Sequence, residues 1–530
     1  AEYLEICNRG PFPVSLTGYR LLFGDKPKIL HPDGVVAEPG EYVIICDEKD
    51  RQAFESMGNT LSLSNMPAIV NTGATLVLEA PSGKVIHSVS FTDKWYRSAD
   101  KSDGGWSLEM IDPGNPCGHA GNWRESTDPR GGTPGNINSV NAHNPDNQKP
   151  ELLRASLNPD SSVALYFSED MDSTSMTDPS NYYATHSLLH PENADPAGPA
   201  FSTVHLFFHG SLNNSLTYSV TVLNTLKDCS GNSLQNNAQA DFAIPQAVDS
   251  FDVVINELLF DASPGMSEFI ELFNRSEKVI DLAGFSIASW NAITDSVIRK
   301  ISLKGTSFLL FPEQYVVFTR RADLLPDPDK RLDLSNVIEV PSLFTLPDKE
   351  GKIAILSNKE QIIDLFFYHP SMHSMFIHEK EGISLERIHA DLPTNTFNNW
   401  FTAAADKGYS TPGYENSQEF SSAMENENII VSPAVFSPDG DGTDDQAFVT
   451  LIPGGPGFIG NIQIYDLQGK KTKTLCSNML LGTETILSWD GKRNDNKEAS
   501  IGIYLIYIEI FNQQGIVKKY RKVVTLAGRL

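Results

Sequence analysis

Glu268-Phe269-Ile270-Glu271-Leu272-Phe273-Asn274-Arg275 has a counterpart at the head of the chain, Glu2-Tyr3-Leu4-Glu5-Ile6-Cys7-Asn8-Arg9. Both alternate polar and apolar residues at period two, the pattern of a strand with one face on a core and one wet face. The match then continues in order. Leu16-Thr17-Gly18-Tyr19 answers Leu282-Ala283-Gly284-Phe285, and Glu41-Tyr42-Val43-Ile44-Ile45 answers Gln314-Tyr315-Val316-Val317-Phe318. Ser107-Leu108-Glu109 then answers Ser384-Leu385-Glu386, Asn122-Trp123 answers Asn399-Trp400, and each series closes on Thr-Pro-Gly, at Thr133-Pro134-Gly135 and Thr411-Pro412-Gly413. The spacing drifts between landmarks, as it does when surface loops change length between strands that keep their sequence. One module is therefore present twice, and Trp123 and Trp400 are predicted to plug the ends of its two cores.

Taken as a set, these motifs resemble the lamin tail domain, an immunoglobulin-like β-sandwich of nuclear lamins and of many secreted bacterial proteins. The resemblance covers residues 1–138 and about 250–416. Val253-Val254-Ile255-Asn256-Glu257 is similar to the first strand of that family. The first copy has no such strand, which leaves an unpaired edge. Either residues ahead of Ala1 were removed or another segment completes the sheet, and the numbering is expected to start inside a longer product.

Residues 149–246 alternate in the same way at Ser162-Val163-Ala164-Leu165-Tyr166-Phe167 and at Leu216-Thr217-Tyr218-Ser219-Val220-Thr221-Val222. Phe167-Ser168-Glu169-Asp170-Met171-Asp172, with Leu226-Lys227-Asp228 and Gly231-Asn232 later, resembles the bacterial Ig-like family of surface-layer and adhesin-like proteins. A polar stretch, Ser417 to Asn428, reads as a linker. Beyond it, residues 429–530 carry Ser437-Pro438-Asp439-Gly440-Asp441-Gly442 and Trp489-Asp490-Gly491. That order resembles the C-terminal Ig-like domains of type IX secretion cargo and gliding-motility-associated proteins of Bacteroidetes, although the terminus Leu526-Ala527-Gly528-Arg529-Leu530 departs from the motility signal.

Composition agrees with a chain of short strands, since 38 Gly and 32 Pro among 530 residues imply many turns. A net charge of −26 repels a phosphate backbone and argues against nucleic-acid binding. No window approaches the ~18 consecutive apolar residues of a membrane-spanning helix. The five cysteines lack paired CxxC spacing, and read either as buried or free thiols or as a disulfide such as Cys7–Cys46.

Candidate chemistry is sparse. Asp439, Asp441, Asp444 and Asp445 place four carboxylates in one glycine-rich loop, a candidate calcium site without the closing Glu of an EF-hand loop. The same residues could instead cap their own tight turns. His369, His373 and His378, beside Glu379, read as exposed loop histidines because Pro370 excludes a helical zinc pair. Glu5, Glu109, Glu271 and Glu386 read as structural hydrogen-bond acceptors rather than as acid/base pairs of a glycosidase cleft. Asp172-Ser173 and Asp295-Ser296 resemble the O-glycosylation acceptor of Bacteroidetes. Trp95, Trp106 and Trp290 would serve carbohydrate binding if exposed.

The expectation is an all-β protein of tandem immunoglobulin-like β-sandwiches at 1–138, 149–246, 250–416 and 429–530. It is read as a non-catalytic protein of the cell surface or outer membrane, an adhesin or a subunit of a secretion or motility assembly with protein partners. The alternative is the accessory region of a secreted nuclease or phosphatase.

Overall fold

The computed structural model describes residues 1–530 except 31–34, 187, 292–293, 295, 305–306, 329, 421–426 and 529–530. The chain is all-β and divides into two compact units, Ala1–Ile244 and Pro245–Leu530.

In the second unit, a six-stranded sheet runs in the order Val337–Glu339, Tyr315–Thr319, Phe269–Asn274, Val253–Leu259, Leu385–Arg387, Trp400–Thr402. Its first pair is parallel and the remaining pairs are antiparallel. A four-stranded sheet, Ser296–Ser302, Ser286–Asn291, Gly351–Leu356 and Ile362–Tyr368, closes the sandwich. Alternation decides what lies between them: Ile270 and Leu272 face the core with Val253, Ile255 and Leu258, while Glu271 takes the opposite face. Trp400 lies in that core, stacked on Phe366 with centroids 3.8 Å apart, and its indole N–H donates to the Thr394 carbonyl. The expectation for Trp400 holds.

The first unit repeats this plan with one strand fewer. Tyr3–Cys7, Tyr42–Asp47 and Asn59–Leu63 form a three-stranded sheet whose second pair is parallel, as in the second copy. Leu108–Met110 and Trp123–Glu125 form a separate pair, and a four-stranded sheet of Lys26–Ile29, Arg20–Phe23, Gly73–Glu79 and Val85–Thr92 lies opposite. Trp123 is only half-buried, tilted against Trp95 at 6.2 Å, so it plugs its core less completely than Trp400.

The rest of the first unit is a sandwich of a four-stranded sheet, Leu152–Leu157, Val163–Phe167, Thr203–Phe207 and Asn193–Ala197, with a three-stranded one, Tyr182–Ala184, Tyr218–Val222 and Ala238–Phe242. A disulfide joins Cys117 to Cys229 across 112 residues of sequence. The Cys7–Cys46 alternative is corrected: in the strand register Cys46 faces Tyr3 and Cys7 faces Tyr42, which separates the two thiols along the ladder.

Residues from Asn428 onward form a three-stranded and a five-stranded sheet around Trp489, Ile462, Ile464, Ile506 and Ile508. The predicted linker is a linker only in part. Ser417 and Gln418 are buried; the Gln418 side chain donates to the Leu481 carbonyl and accepts from the Gly457 amide. Residues 421–426 of that stretch lie outside the described residues.

Candidate functional site

Three glutamates stand side by side on the outer face of the six-stranded sheet. Glu257 pairs with Glu271 on one flanking strand and with Glu386 on the other, and all three are fully buried. Buried carboxylates survive only when hydrogen-bonded. The Thr411-Pro412-Gly413 segment folds over them and supplies some of the donors, including the Thr411 and Gly413 amides. Glu257 accepts from the Ser384 hydroxyl and, at 2.9 Å, from the Thr411 amide; Glu271 accepts from the Gly413 amide and from Asn256 Nδ2. Glu386 accepts from the Ser417 hydroxyl and the Gln418 amide at 2.7 and 2.9 Å. A β-bulge between Ile255 and Glu257 lets Asn256 and Glu257, neighbours in sequence, both reach this network.

Thr411 Oγ1 lies 3.2 Å from Glu257 Oε2 and 2.7 Å from Glu386 Oε1. The Thr411 hydroxyl thus stands between the two carboxyls, placed to donate to either. Burial, reinforced by the neighbouring Glu386, pushes Glu257 up to about 8, and burial beside Glu257 raises Glu271 well above the carboxylate range. The arrangement is a hydrogen-bonded network of fully buried carboxyls, which suits fold-making rather than acid/base catalysis. Sequence reading had singled out Glu271 and Glu386 but not Glu257, because the duplicate that flagged the others lacks its strand.

The first copy reproduces the closure. Glu109 accepts from Thr133 Oγ1 at 2.9 Å and from the Ser139 amide and hydroxyl at 2.8 and 2.7 Å. Glu5 accepts from the Gly135 amide at 2.5 Å, and burial lifts it to about 7.

The acidic loop 439–445 is laid out differently. Oxygens of Asp439, Asp441 and Asp445 lie within 4.8 Å of one another, whereas Asp444, at φ 51°, is not among them. Asp445 accepts from the Gly440 and Gly442 amides, and Asp441 from the Thr443 amide, so the loop's carboxylates also organise its own turns. Glycines at 440 and 442, with φ of 79° and 90°, permit that curl. A second acidic group, Asp146, Glu169 and Asp228, comes together within the same 4.8 Å from three distant stretches, a juxtaposition no local motif announces. Burial, then Asp228 and Asp146, push Glu169 up to about 7.

The histidines split. His369 and His378 are exposed, but the expectation fails for His373, which is buried against Phe260 and accompanied by Thr402. Its burial drives the ring down to about 3, so it stays neutral. The three do not converge on a metal. Trp95, Trp106 and Trp290 are half-buried, with Lys101 over the Trp106 ring and Lys352 over that of Trp290, so these faces are already used. Asp172 caps the short helix that Ser173 begins, and Asp295 lies outside the described residues.

Comparison with known proteins assigns parts of this architecture. Residues 246–369 match the lamin tail domain family, and residues 138–243 match a bacterial Ig-like domain family. Neither is a catalytic family. No curated protein matches the chain. Among solved structures, a DUF4876 family protein from Bacteroides thetaiotaomicron is similar at 10% identity, covering 39% of this chain and 81% of its own, with a TM-score of 0.20. The S-layer protein rSbsC(31-844) is similar at 13% identity over 72% of this chain and 54% of its own, with a TM-score of 0.17. Scores this low carry no information on function. No helix among the described residues is long and apolar enough to cross a membrane.

Proposed function

We propose that this chain is a non-catalytic binding or structural protein displayed outside the cell, built of four sandwich modules at 1–138, 149–246, 250–416 and 429–530. The observation that supports it most is the fate of the ionisable groups. The glutamates that recur in both copies are consumed in holding the Thr-Pro-Gly segments onto their sheets. The Cys117–Cys229 disulfide favours an oxidising, extracytoplasmic compartment. The motif order from Ser437 to Trp489 supports a Bacteroidetes surface or outer-membrane protein, an adhesin or a subunit of a type IX secretion or gliding assembly. Purification from its own cells in mild detergent tests this. Outer-membrane or secretion components in fixed ratio support the subunit reading, and a protein recovered alone from the cytosol with Cys117 and Cys229 reduced overturns it.

The acidic loop is proposed to take calcium through Asp439, Asp441, Asp444 and Asp445, its Gly-rich turns tightening as Asp444 joins the others. Saturating calcium should stabilise the C-terminal sandwich by about 2.7 kcal/mol at a hundredfold excess over Kd. Identical melting in calcium and in chelator removes the site.

A further inference from the structure

The closing segment of the second copy does not end at its own sheet. Past Thr411-Pro412-Gly413 the chain runs on to Ser417 and Gln418, whose hydroxyl and amide respectively donate to Glu386, at 2.7 and 2.9 Å. The side chain of Gln418 serves a different module. Its Nε2 donates to the Leu481 carbonyl and its Oε1 accepts from the Gly457 amide, each at 3.0 Å, and both partners belong to the C-terminal sandwich. One wholly buried residue thus spends its main-chain N–H on one sandwich and its side-chain amide on the next. The boundary is closely fitted around it. The Ser417 carbonyl accepts from the Thr483 amide at 2.8 Å, Thr485 donates its hydroxyl to Asp406 at 3.2 Å, and Phe376 meets Phe511 edge to face with centroids 5.5 Å apart. Two glycines permit this approach: a Cβ on Gly457 would stand 2.9 Å from the Phe401 ring, and one on Gly482 would stand 2.9 Å from the Ser417 carbonyl oxygen.

The first copy serves as an internal control. Ser139 stands where Ser417 does, six residues past the threonine of its Thr-Pro-Gly, and donates to Glu109 through its amide and hydroxyl at 2.8 and 2.7 Å. The residue after it is Val140, which has no polar side chain, so the clasp on the glutamate closes without a glutamine. What the clasp requires is the serine. The side-chain amide of Gln418 is therefore given to the neighbouring sandwich rather than to its own. The first copy meets the module that follows it by other means, through the Cys117–Cys229 disulfide and a bond from Asn232 Nδ2 to the Asp146 carbonyl at 3.3 Å.

We propose that residues 411–418 are a coupling strap: seated on Glu386, they hold the C-terminal sandwich against the second repeated sandwich, and lifting them from Glu386 undocks it. Gln418 is the positioning residue, because its side chain reaches the C-terminal sandwich only while its amide is fixed on Glu386. The two ends are joined by a few residues of buried chain, so a disturbance at the clasp is passed to the dock without crossing solvent. The device goes beyond the display proposed above and does not depend on where the protein is displayed.

The test disturbs each end of the strap in the full chain and reads the dock by amide hydrogen exchange at Gly457 and Thr483, whose N–H groups bond to Gln418 and Ser417. Gln418→Val gives the second copy the residue of the first and should speed exchange at both amides about tenfold. Thr411→Val removes a hydroxyl bonded to Glu257 and Glu386 inside the second repeated sandwich, and it should speed exchange at the same two amides by a similar factor. In both variants Ser286–Asn291 and Gly502–Phe511, one strand from each sandwich, should stay protected. Unchanged exchange at Gly457 and Thr483 in Gln418→Val overturns the role of the glutamine. Unchanged exchange there in Thr411→Val overturns the coupling, because the dock is then indifferent to the clasp. Lost protection at Ser286–Asn291 or Gly502–Phe511 in either variant also overturns it, because the residue is then needed for a sandwich to fold and not for the two to dock.

Discussion

The two copies of the repeated sandwich share their closing segments and the glutamates those segments hold, yet they are stabilised differently. The second is sealed. Its central strand joins two half-sheets, Arg387 pairs with Asp364 in a fully buried ion pair at 3.2 Å, and Trp400 lies wholly inside. The first is split, with Met110 and His87 standing at the positions of Arg387 and Asp364, and with a half-buried Trp123. The Thr-Pro-Gly clasp on its glutamates is common to both copies, whereas the buried charge pair belongs to the second copy alone. Arg387 depends on the central strand directly, since its Nε donates to the Ile255 carbonyl of that strand.

The sharpest way to break the comparison is Arg387→Met, which gives the second copy the residue of the first. It leaves Asp364 buried and uncompensated and should cost about 3–5 kcal/mol in the second sandwich, read from urea denaturation with hydrogen exchange at Leu385–Arg387. Adding Asp364→Leu should recover most of that loss; no recovery would mean that the guanidinium matters chiefly through its backbone contacts. Trp400→Ala should cost about 3–5 kcal/mol. Its half-buried counterpart Trp123→Ala should cost about 1–2 kcal/mol, and equal losses would erase the distinction between sealed and split cores.

The smallest effect is a pH slope. Glu257 titrates near 4.5 when unfolded and at about 8 when folded, so the folded state holds a proton that the unfolded chain releases. That stabilisation is complete below about pH 4.5 and is lost as pH rises through about 8, at no more than about 1.4 kcal/mol per pH unit for one group. Thermal melts from pH 5 to 9 should show the second sandwich weakening more steeply than the first, whose Glu5 titrates at about 7. Glu257→Gln should make the slope shallower, with Glu271 keeping part of it, and a melting temperature that climbs over this range contradicts the raised carboxyls.

Much of this was legible in sequence, and the limits were physical. The duplicated period-two motifs disclosed the sandwich strands because a half-buried strand must alternate. The absent first strand could be seen for the same reason. What escaped depends on contacts between distant residues: Glu257 had no duplicate to mark it, Asp146, Glu169 and Asp228 meet only after folding, and Cys117 finds Cys229 across a module junction. His373 was misjudged because a loop beside Pro370 reads as exposed, while the structure packs it under Phe260.

The same disulfide shields the part of the first unit between Cys117 and Cys229 from being pulled apart. Tension along the backbone would pass through the Cys117–Cys229 bond and bypass the intervening chain. At about 3.3–3.6 Å per residue, 112 residues amount to roughly 370–400 Å of hidden length. While oxidised, the strands of the Ig-like sandwich from Leu152 to Val222 cannot be drawn out, whereas Ala238–Phe242 lies outside the loop and stays open to the load; reduction would release the whole length at once.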